Sequence, residues 1–250
     1  MNTEFDQLRE TLLATCRSGP VFYLPNLGNW GDGLIRAGTL RFLQQAGIGF
    51  TEIEHVSRAE RWLPWKRKGT LIYGGGGAWS SLWSHSFRTI KRVGHLFERV
   101  VVLPSSFELR VSLPRVILYC RDRFESQVNA PAAHFCHDMA FFLGQQSAPS
   151  GNGAGWFLRT DAESAHGLPI PEGNVDLSQL GSHLTPVEPF FQALAKYAVI
   201  HTDRLHVAIA TCLLGRELHL YPGAYFKNRA VFQSSIEGRF PRVHFHDTKA

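Results

Sequence analysis

The chain has 250 residues, 44% of them hydrophobic, and a formal net charge of +5, so it is long enough for one large α/β domain or for two smaller lobes. The basic residues are scattered, and although aromatic and basic residues interleave at 61–68, no nucleic-acid-binding signature accompanies them. Small anionic substrates or an anionic membrane surface therefore fit better than nucleic acid. Four dispersed cysteines, with no signal peptide and no membrane-span pattern, indicate a cytoplasmic protein.

The first half of the chain alternates helices and strands as in a doubly wound fold. Apolar spacing predicts a helix over residues 3–17 and strands at 21–24, 50–53, 70–73, 100–103 and 116–120. Asn26 and Asp32 lie in a Gly-rich turn after the first strand, where α/β proteins place ligands. The alternative is that these side chains only cap the turn and the next helix. The glycines do not match Gly-x-Gly-x-x-Gly, so a dinucleotide site is weakly supported.

Two further loops of this half follow buried strands. Residues 74–77 are four glycines, which let a backbone pass very close to a ligand or to another loop, although a flexible linker is the alternative. Ser105 and Ser106 follow the next strand, and their hydroxyls either bind a phosphate or cap the chain. Both loops are candidate parts of a binding site.

Two segments, 134–138 and 244–247, contain metal-ligand residue types. Neither has a second ligand cluster beside it in the sequence that would complete a tetrahedral set. Alternating hydrophobicity predicts strands at both places. We therefore expect no metal site and no cofactor.

Residues 147–155 have the Ser, Gly and Pro content of a linker. We place a lobe boundary there, between an N-terminal lobe at 1–146 and a C-terminal lobe at 156–250. In the second lobe the pattern predicts strands at 156–158, 198–200, 217–221 and 242–245, and helices at 188–196 and from residue 225 onward.

The most informative motif is the segment from His201 to Gly215. A short apolar strand precedes it, Asp203 is a good helix N-cap, and the residues after Arg204 are apolar on all sides until glycine ends the helix. Arg204 and His206 lie in the first turn, where backbone N–H groups and the helix dipole favour an anion. The alternative is structural: Arg204 pairs with a carboxylate and His206 is a satisfied core histidine.

The chain resembles the polysaccharide pyruvyltransferase family in a series of short motifs that keep a shared order along nearly the whole chain. The matching residues are 29–32, 74–77, 103–106, 121–122 with Ser126, 138–140, 159–163, 202–206 and 225–228. The resemblance implies two Rossmann-like lobes similar to the glycosyltransferase B architecture. The N-terminal lobe would then face the acceptor, and the compact C-terminal lobe would face the donor.

The same resemblance implies phosphoenolpyruvate as donor and a hydroxyl pair of a lipid-linked oligosaccharide as acceptor, in bacterial exopolysaccharide or cell-wall polysaccharide synthesis. Such an acceptor would bring a cytoplasmic enzyme into peripheral contact with the inner face of the plasma membrane. The family's Arg-Leu-His motif falls on Arg204, Leu205 and His206, which implies that they contact the donor. In the resulting reaction an acid protonates the enol carbon, and one sugar hydroxyl attacks the carbon adjacent to it. Phosphate then leaves, and a second hydroxyl closes the ring to form a ketal.

Residue types suggest roles in this chemistry. Arg204 would bind the anion. His206 is the leading candidate for the acid or for a hydrogen-bond donor to the phosphate. Asp32, Asp161 and Glu163 are candidates for activating the acceptor hydroxyl. The other expected substrate-binding residues are Arg159, Lys227, Asn29, Gly75, Gly76, Ser105 and Ser106.

Two other functions remain open. One is a glycosyltransferase of the same architecture that grips the diphosphate of a nucleotide sugar. The other is a non-catalytic glycan-binding or assembly protein, which would bind a donor without turnover.

Overall fold

The computed structural model describes residues 2–54, 69–164 and 170–247, so the basic segment 61–68 lies outside the described residues. The chain forms two compact units. The first unit comprises Met1–Asn26 and Thr39–Met139, and the second comprises Leu27–Gly38 and Ala140–Ala250. Within the described ranges, every helix is too short or too polar to cross a membrane.

The elements up to the end of the first unit follow the predicted alternation. They are α1 (Asn2–Thr15), β1 (Val21–Leu24), α2 (Trp30–Gln45), β2 (Thr51–Glu52), β3 (Thr70–Tyr73), β4 (Gly76–Trp79), α3 (His85–Val93), β5 (Arg99–Phe107), β6 (Val116–Cys120), α4 (Glu125–Asn129) and β7 (His134–Phe135). Helix α2 begins in the second unit and continues into the first.

The sheet of the first unit is parallel, in the order β2-β1-β3-β5-β6-β7, with β4 paired to the later part of β5. Because β2 and β3 flank β1 on opposite sides, the strand order reverses at β1, which is the place where open α/β sheets bind ligands. The buried faces of β3, β5 and β6 join α3 in one apolar core that includes Leu71, Val100, Val102, Leu118 and Ile90. The near-continuous apolar runs read from the sequence are thus explained by a sheet buried on both faces.

The second unit contains β8 (Ala154–Phe157), α5 (Glu188–Ala195), β9 (Val199–Thr202), α6 (Leu205–Leu213), β10 (Glu217–Leu220), α7 (Lys227–Val231) and β11 (Val243–Phe245). Its four parallel strands lie in the order β11-β10-β9-β8. Helix α7 continues into a π-helical turn at Phe232–Ile236. The predicted edge strand near the C-terminus is confirmed as β11.

The two faces of this second sheet differ in burial. Ile200, Leu218 and Leu220 on one face are fully buried, while His201 and His219 on the other face are partly exposed. The rings of Trp156 and His201 stack at a centroid distance of 4.0 Å, and His219 stacks on His201 at 4.5 Å. Burial, with His219 and His246 nearby, lowers the pKa of His201 to about 4. This half-exposed face is therefore a row of aromatic and imidazole rings.

The predicted α/β class with parallel sheets is confirmed. The likeness to the glycosyltransferase B architecture concerns how two lobes are arranged, and it stays a prediction, as do the lobe limits at 146 and 156. The segment 147–155 is mostly exposed but hydrogen-bonded within its unit: Asn152 N–H donates to the Lys196 carbonyl at 3.0 Å, and the Gly153 carbonyl accepts from Val199 N–H at 3.1 Å.

Candidate functional site

Three cationic side chains follow the carboxyl ends of three adjacent strands of the second unit. Arg159 comes two residues after β8, Arg204 comes two residues after β9, and Lys227 begins α7 after β10. Parallel strands end at the same edge of their sheet, so the pairing of β8, β9 and β10 brings these cations to one place. This edge is the candidate donor site.

Arg204 is 4% exposed and is held by two carboxylates. Its Nε donates to Asp176 Oδ1 at 2.9 Å and its Nη2 donates to Asp176 Oδ2 at 2.5 Å, while Nη1 lies 2.9 Å from Asp161 Oδ2. Arg204 is therefore paired with carboxylates, as the structural alternative for this residue predicts. The pairing orients the guanidinium through a rigid two-point contact, which lysine cannot reproduce.

Arg159 and Lys227 share the same network of charges. Arg159 Nε donates to Asp161 Oδ1 at 2.8 Å, and Arg159 Nη1 lies 2.5 Å from Glu163 Oε2. Lys227 Nζ donates to the same Glu163 oxygen at 2.5 Å. Five predicted site residues thus form one connected network: Arg159, Asp161, Glu163, Arg204 and Lys227.

The carboxylates of this network are strongly acidic. Burial raises the pKa of Asp161, but its hydrogen bonds and ion pairs with Arg159 and Arg204 outweigh burial and lower that pKa to about 2. Burial also raises the pKa of Glu163, and Lys227 and Arg159 outweigh it, again lowering the pKa to about 2. Asp161 and Glu163 are thus ionised counter-ions of the neighbouring arginines and lysine. A carboxylate with so low a pKa is a weak base.

Asp203 is a titratable group that the sequence predicts as the N-cap of the helix. This N-cap prediction is wrong, because helix α6 begins at Leu205 with Arg204 at the N-cap, and Asp203 Oδ1 instead accepts from the Arg159 backbone N–H at 2.7 Å. Asp203 is fully buried, and its Oδ2 has no hydrogen-bond partner within the described residues. Burial raises the pKa of Asp203 to about 6, against the opposing effect of Arg159 and Arg204.

His206 is half-buried in the first turn of α6, against the turn that opens α2. A Cβ on Gly31 would lie 2.4 Å from His206 Nδ1, so only glycine lets this backbone approach the imidazole. Asn29 Oδ1 accepts from the Gly31 N–H at 2.8 Å, and Asp32 Oδ2 accepts from the Asn29 N–H at 3.1 Å. The capping alternative for Asp32 is thus present, and these hydrogen bonds fix the turn on which His206 packs.

Leu205 and the rest of α6 form the buried support of this edge. Leu205 is 3% exposed, and the helix is buried from Val207 to Leu213, as expected from a pattern apolar on all sides. Gly215 adopts a φ of +63° just after the helix, the conformation that ends helices at glycine. The predicted helix and its glycine stop are confirmed.

The remaining four predicted binding residues lie in the first unit. A Cβ on Gly75 would lie 2.2 Å from the Pro104 carbonyl oxygen, and Gly76 pairs with Ser105 where β4 meets β5. The approach that the glycines permit is therefore to the neighbouring strand β5. Ser105 Oγ donates to the Leu103 carbonyl at 2.9 Å, and Ser106 Oγ accepts from Arg121 Nε at 2.9 Å. The expectation that these serines follow the strand is wrong, because β5 continues to Phe107 and both serines are buried within it.

A polar cluster at the point where the strand order reverses was missed as a unit. Asn26 is 5% exposed, and its Oδ1 accepts from Tyr73 Oη at 3.2 Å and from Ser86 Oγ at 3.1 Å, with His85 Nε2 also 3.1 Å away. Asn26 was expected at a strand end, but nothing in the sequence linked it to Tyr73 and Ser86, which follow it by 47 and 60 positions. These contacts join β1, β3 and α3.

The histidine-containing segment 134–138 does not present a set of free metal ligands. Asp138 Oδ2 accepts from Arg121 Nη1 at 2.6 Å, and both side chains are almost fully buried. His137 Nε2 lies 3.4 Å from Glu4 Oε2, and the His134 ring packs on Tyr119. These groups stabilise the edge of the first sheet. The expected absence of a metal site at 134–138 stays a prediction.

Comparison with known proteins gives the family. A family model described as polysaccharide pyruvyl transferase matches residues 29–219. The crystal structure of a functionally uncharacterised protein from Klebsiella pneumoniae is similar over 99% of this chain and 100% of its own, with a TM-score of 0.83 and 26% sequence identity. A search of curated proteins finds no match. Because the family model covers well over half of the chain, including Arg159, Asp161, Glu163 and Arg204, the protein belongs to the polysaccharide pyruvyl transferase family.

Proposed function

We propose that the protein transfers the pyruvyl group of phosphoenolpyruvate to two hydroxyls of one sugar in a glycan, which releases inorganic phosphate and forms a pyruvate ketal. Membership of the polysaccharide pyruvyl transferase family is the observation that carries this proposal. The cation cluster after β8, β9 and β10 supports it, because a donor with one phosphate and one carboxylate needs several cations at once.

Donor binding must exchange one set of anions for another. At this edge three cations are paired with three carboxylates, Asp161, Glu163 and Asp176, so an incoming anion meets little net positive charge. Asp161 is the most exposed of the three, at 21%, against 4% and 6% for the others, and it bridges both arginines. We infer that the donor displaces Asp161 and takes its place between Arg159 and Arg204.

The displacement would also supply a base. Once Asp161 leaves the two arginines, its pKa rises from about 2 towards the ordinary value of a carboxyl group. Asp161 could then accept the proton of the attacking sugar hydroxyl while His206 delivers a proton to the methylene carbon of the donor. The bond between the ketal carbon and the phosphate oxygen then breaks, and phosphate leaves with the electron pair. The second hydroxyl attacks the same carbon, and His206, which has given up its proton, takes the proton of that hydroxyl.

The test follows inorganic phosphate and the sugar product together. The protein is incubated with phosphoenolpyruvate and a panel of oligosaccharides that carry neighbouring hydroxyl pairs. Equal amounts of phosphate and of a ketal methyl signal in proton NMR are expected. Asp161→Asn should keep donor binding and lose most turnover, because an amide cannot accept the proton. Release of a nucleoside diphosphate from nucleotide sugars, with no reaction of phosphoenolpyruvate, would favour the glycosyltransferase alternative.

One observation favours a second candidate, a non-catalytic glycan-binding protein. Arg204 and Arg159 are paired with carboxylates, as expected of a structural charge network. A thermal-shift series with phosphoenolpyruvate, UDP-, GDP- and CMP-sugars and free oligosaccharides separates the two. Stabilisation by glycan alone, with no response to any donor, would identify the non-catalytic protein.

A further inference from the structure

A cluster of ligand-type side chains lies on the half-exposed face of the second sheet. Glu217 and His219 are two residues apart on β10, so they point to the same face, and His244 stands beside His219 on β11. One ligand atom from each of the three lies within 4.8 Å of the other two. In the sequence, the segment 244–247 by itself lacks a complete set of metal ligands. Pairing of β10 with β11 supplies the missing ligands.

The distances suit a small divalent ion. Glu217 Oε1 lies 3.3 Å from His219 Nε2 and 3.8 Å from His244 Nε2. Around tetrahedral zinc, with bonds of about 2.0–2.1 Å, neighbouring ligand atoms are roughly 3.3 Å apart. Small rotations of the side chains would therefore place all three atoms around one ion.

A fourth side chain orients the central ligand. His219 Nδ1 lies 3.0 Å from His246 Nε2, on the side of the ring opposite to Glu217. The tautomer of His219 decides which of these contacts its N–H makes. With a metal on Nε2, His219 would carry its proton on Nδ1 and donate it to His246 Nε2, and His246 would carry its own proton on Nδ1. Such a partner on the other ring nitrogen is the usual companion of a metal-bound histidine.

We propose that Glu217, His219 and His244 bind a divalent transition-metal ion such as Zn²⁺, with His246 as a positioning residue. Two imidazoles and one carboxylate leave a fourth position for water. The ligands are 36%, 23% and 53% exposed, so the ion can enter from solvent. The site joins β11 to β10 and lies on the face of the sheet, whereas the cation cluster follows the ends of the strands. It therefore stabilises the fold and takes no part in the transfer reaction.

The test uses the full chain after metal has been removed with EDTA. Addition of Co²⁺ should give the absorption bands of a tetrahedral complex, and calorimetry with Zn²⁺ should show one ion bound per chain. Glu217→Gln, His219→Gln and His244→Gln should each lose most of this affinity. His246→Gln should weaken binding by about 10–100-fold without abolishing it, as expected of an outer partner.

The matched control is His95→Gln, which removes an exposed histidine of the first unit and should bind metal like wild type. Thermal unfolding of every variant without metal shows whether it folds. Zn²⁺ should raise the melting temperature of wild type and the control, raise that of His246→Gln less at the same concentration, and leave the three ligand variants unchanged. Wild type that binds no Zn²⁺ at micromolar concentration, or a His244→Gln protein that binds as well as the control, would overturn the proposal. Loss of pyruvyl transfer on chelation while the protein stays folded would contradict the assigned stabilising role.

Discussion

Arg204 and Asp176 meet through two parallel hydrogen bonds, Nε to Oδ1 at 2.9 Å and Nη2 to Oδ2 at 2.5 Å, although 28 residues separate them in the chain. Both side chains are more than nine-tenths buried. Asp176 Oδ2 also accepts from the N–H of Thr160 at 2.8 Å, so the carboxylate is itself held in place. A strand end, a loop and a helix start are thus joined at one ion pair.

Replacing Arg204 by lysine should affect stability and donor affinity together. The ammonium keeps the charge but makes only one of the two bonds to Asp176. We expect a loss of about 1–3 kcal/mol, less than the roughly 3–5 kcal/mol for removing one partner of a buried pair. Urea unfolding and phosphoenolpyruvate titration measure the two effects. Arg115→Lys, at an exposed arginine of the first unit, should change neither. Unchanged donor affinity in Arg204→Lys would exclude Arg204 from the donor site.

His206→Asn should act mainly on the rate at saturating donor. An amide can donate a hydrogen bond but cannot deliver a proton, so turnover should fall by about 10²–10⁴-fold while donor affinity changes little. Stopped assays of phosphate release, together with melting temperatures, provide the measurement. If the variant melts well below wild type and keeps near-normal kinetics, His206 is a structural residue.

Gly31→Ala tests the contact on which His206 rests. The added Cβ would lie 2.4 Å from His206 Nδ1, so the imidazole must move and turnover should fall even though Gly31 offers no reactive group. The matched control is Gly49→Ala, where an added Cβ meets no atom within 4 Å. Equal activity of both variants would show that the orientation of His206 is unimportant.

Gly75→Ala should destabilise the first unit. An added Cβ would lie 2.2 Å from the carbonyl oxygen of Pro104, and a backbone atom cannot yield as a flexible side chain can. We expect a loss of about 1–3 kcal/mol, typical of overpacking at a close backbone approach. Chemical unfolding measures it against the same Gly49→Ala control. A stability equal to that control would mean that the loop relaxes freely.

Asp203 should make stability fall as the pH rises. Its pKa is raised from 3.8 to about 6, so the folded state favours the protonated acid. The contribution of protonated Asp203 to the free energy of unfolding is therefore fully present below pH 3.8 and is lost as the pH rises through 6. Asp203→Asn resembles the protonated acid, so its melting temperature relative to wild type should increase between pH 4.5 and 7.5. Asp161 and Glu163, with pKa values of about 2, stay ionised throughout this window. A difference that does not change with pH would contradict the raised pKa.

Local sequence was sufficient for the elements that carry the site. The apolar strand before Thr202, the helix that is buried on all sides and its stop at Gly215 each follow from the periodicity and conformational preferences of a dozen neighbouring residues. Residue types also marked Arg159, Arg204 and Lys227 as candidate cations, although their meeting at one sheet edge required the parallel pairing of β8, β9 and β10. Short motifs that keep the family's order along the chain were also enough to suggest the family.

Only the tertiary structure decided which charges meet. Periodicity reports which face of a helix or strand is buried, but the partner of a buried charge depends on where distant loops return, as the pairs Arg204–Asp176 and Lys227–Glu163 show. The raised pKa of Asp203 likewise comes from burial among groups that the sequence does not place. Glu217 and His219 met His244 only through strand pairing, because ligands on different strands share a site only when the sheet aligns them.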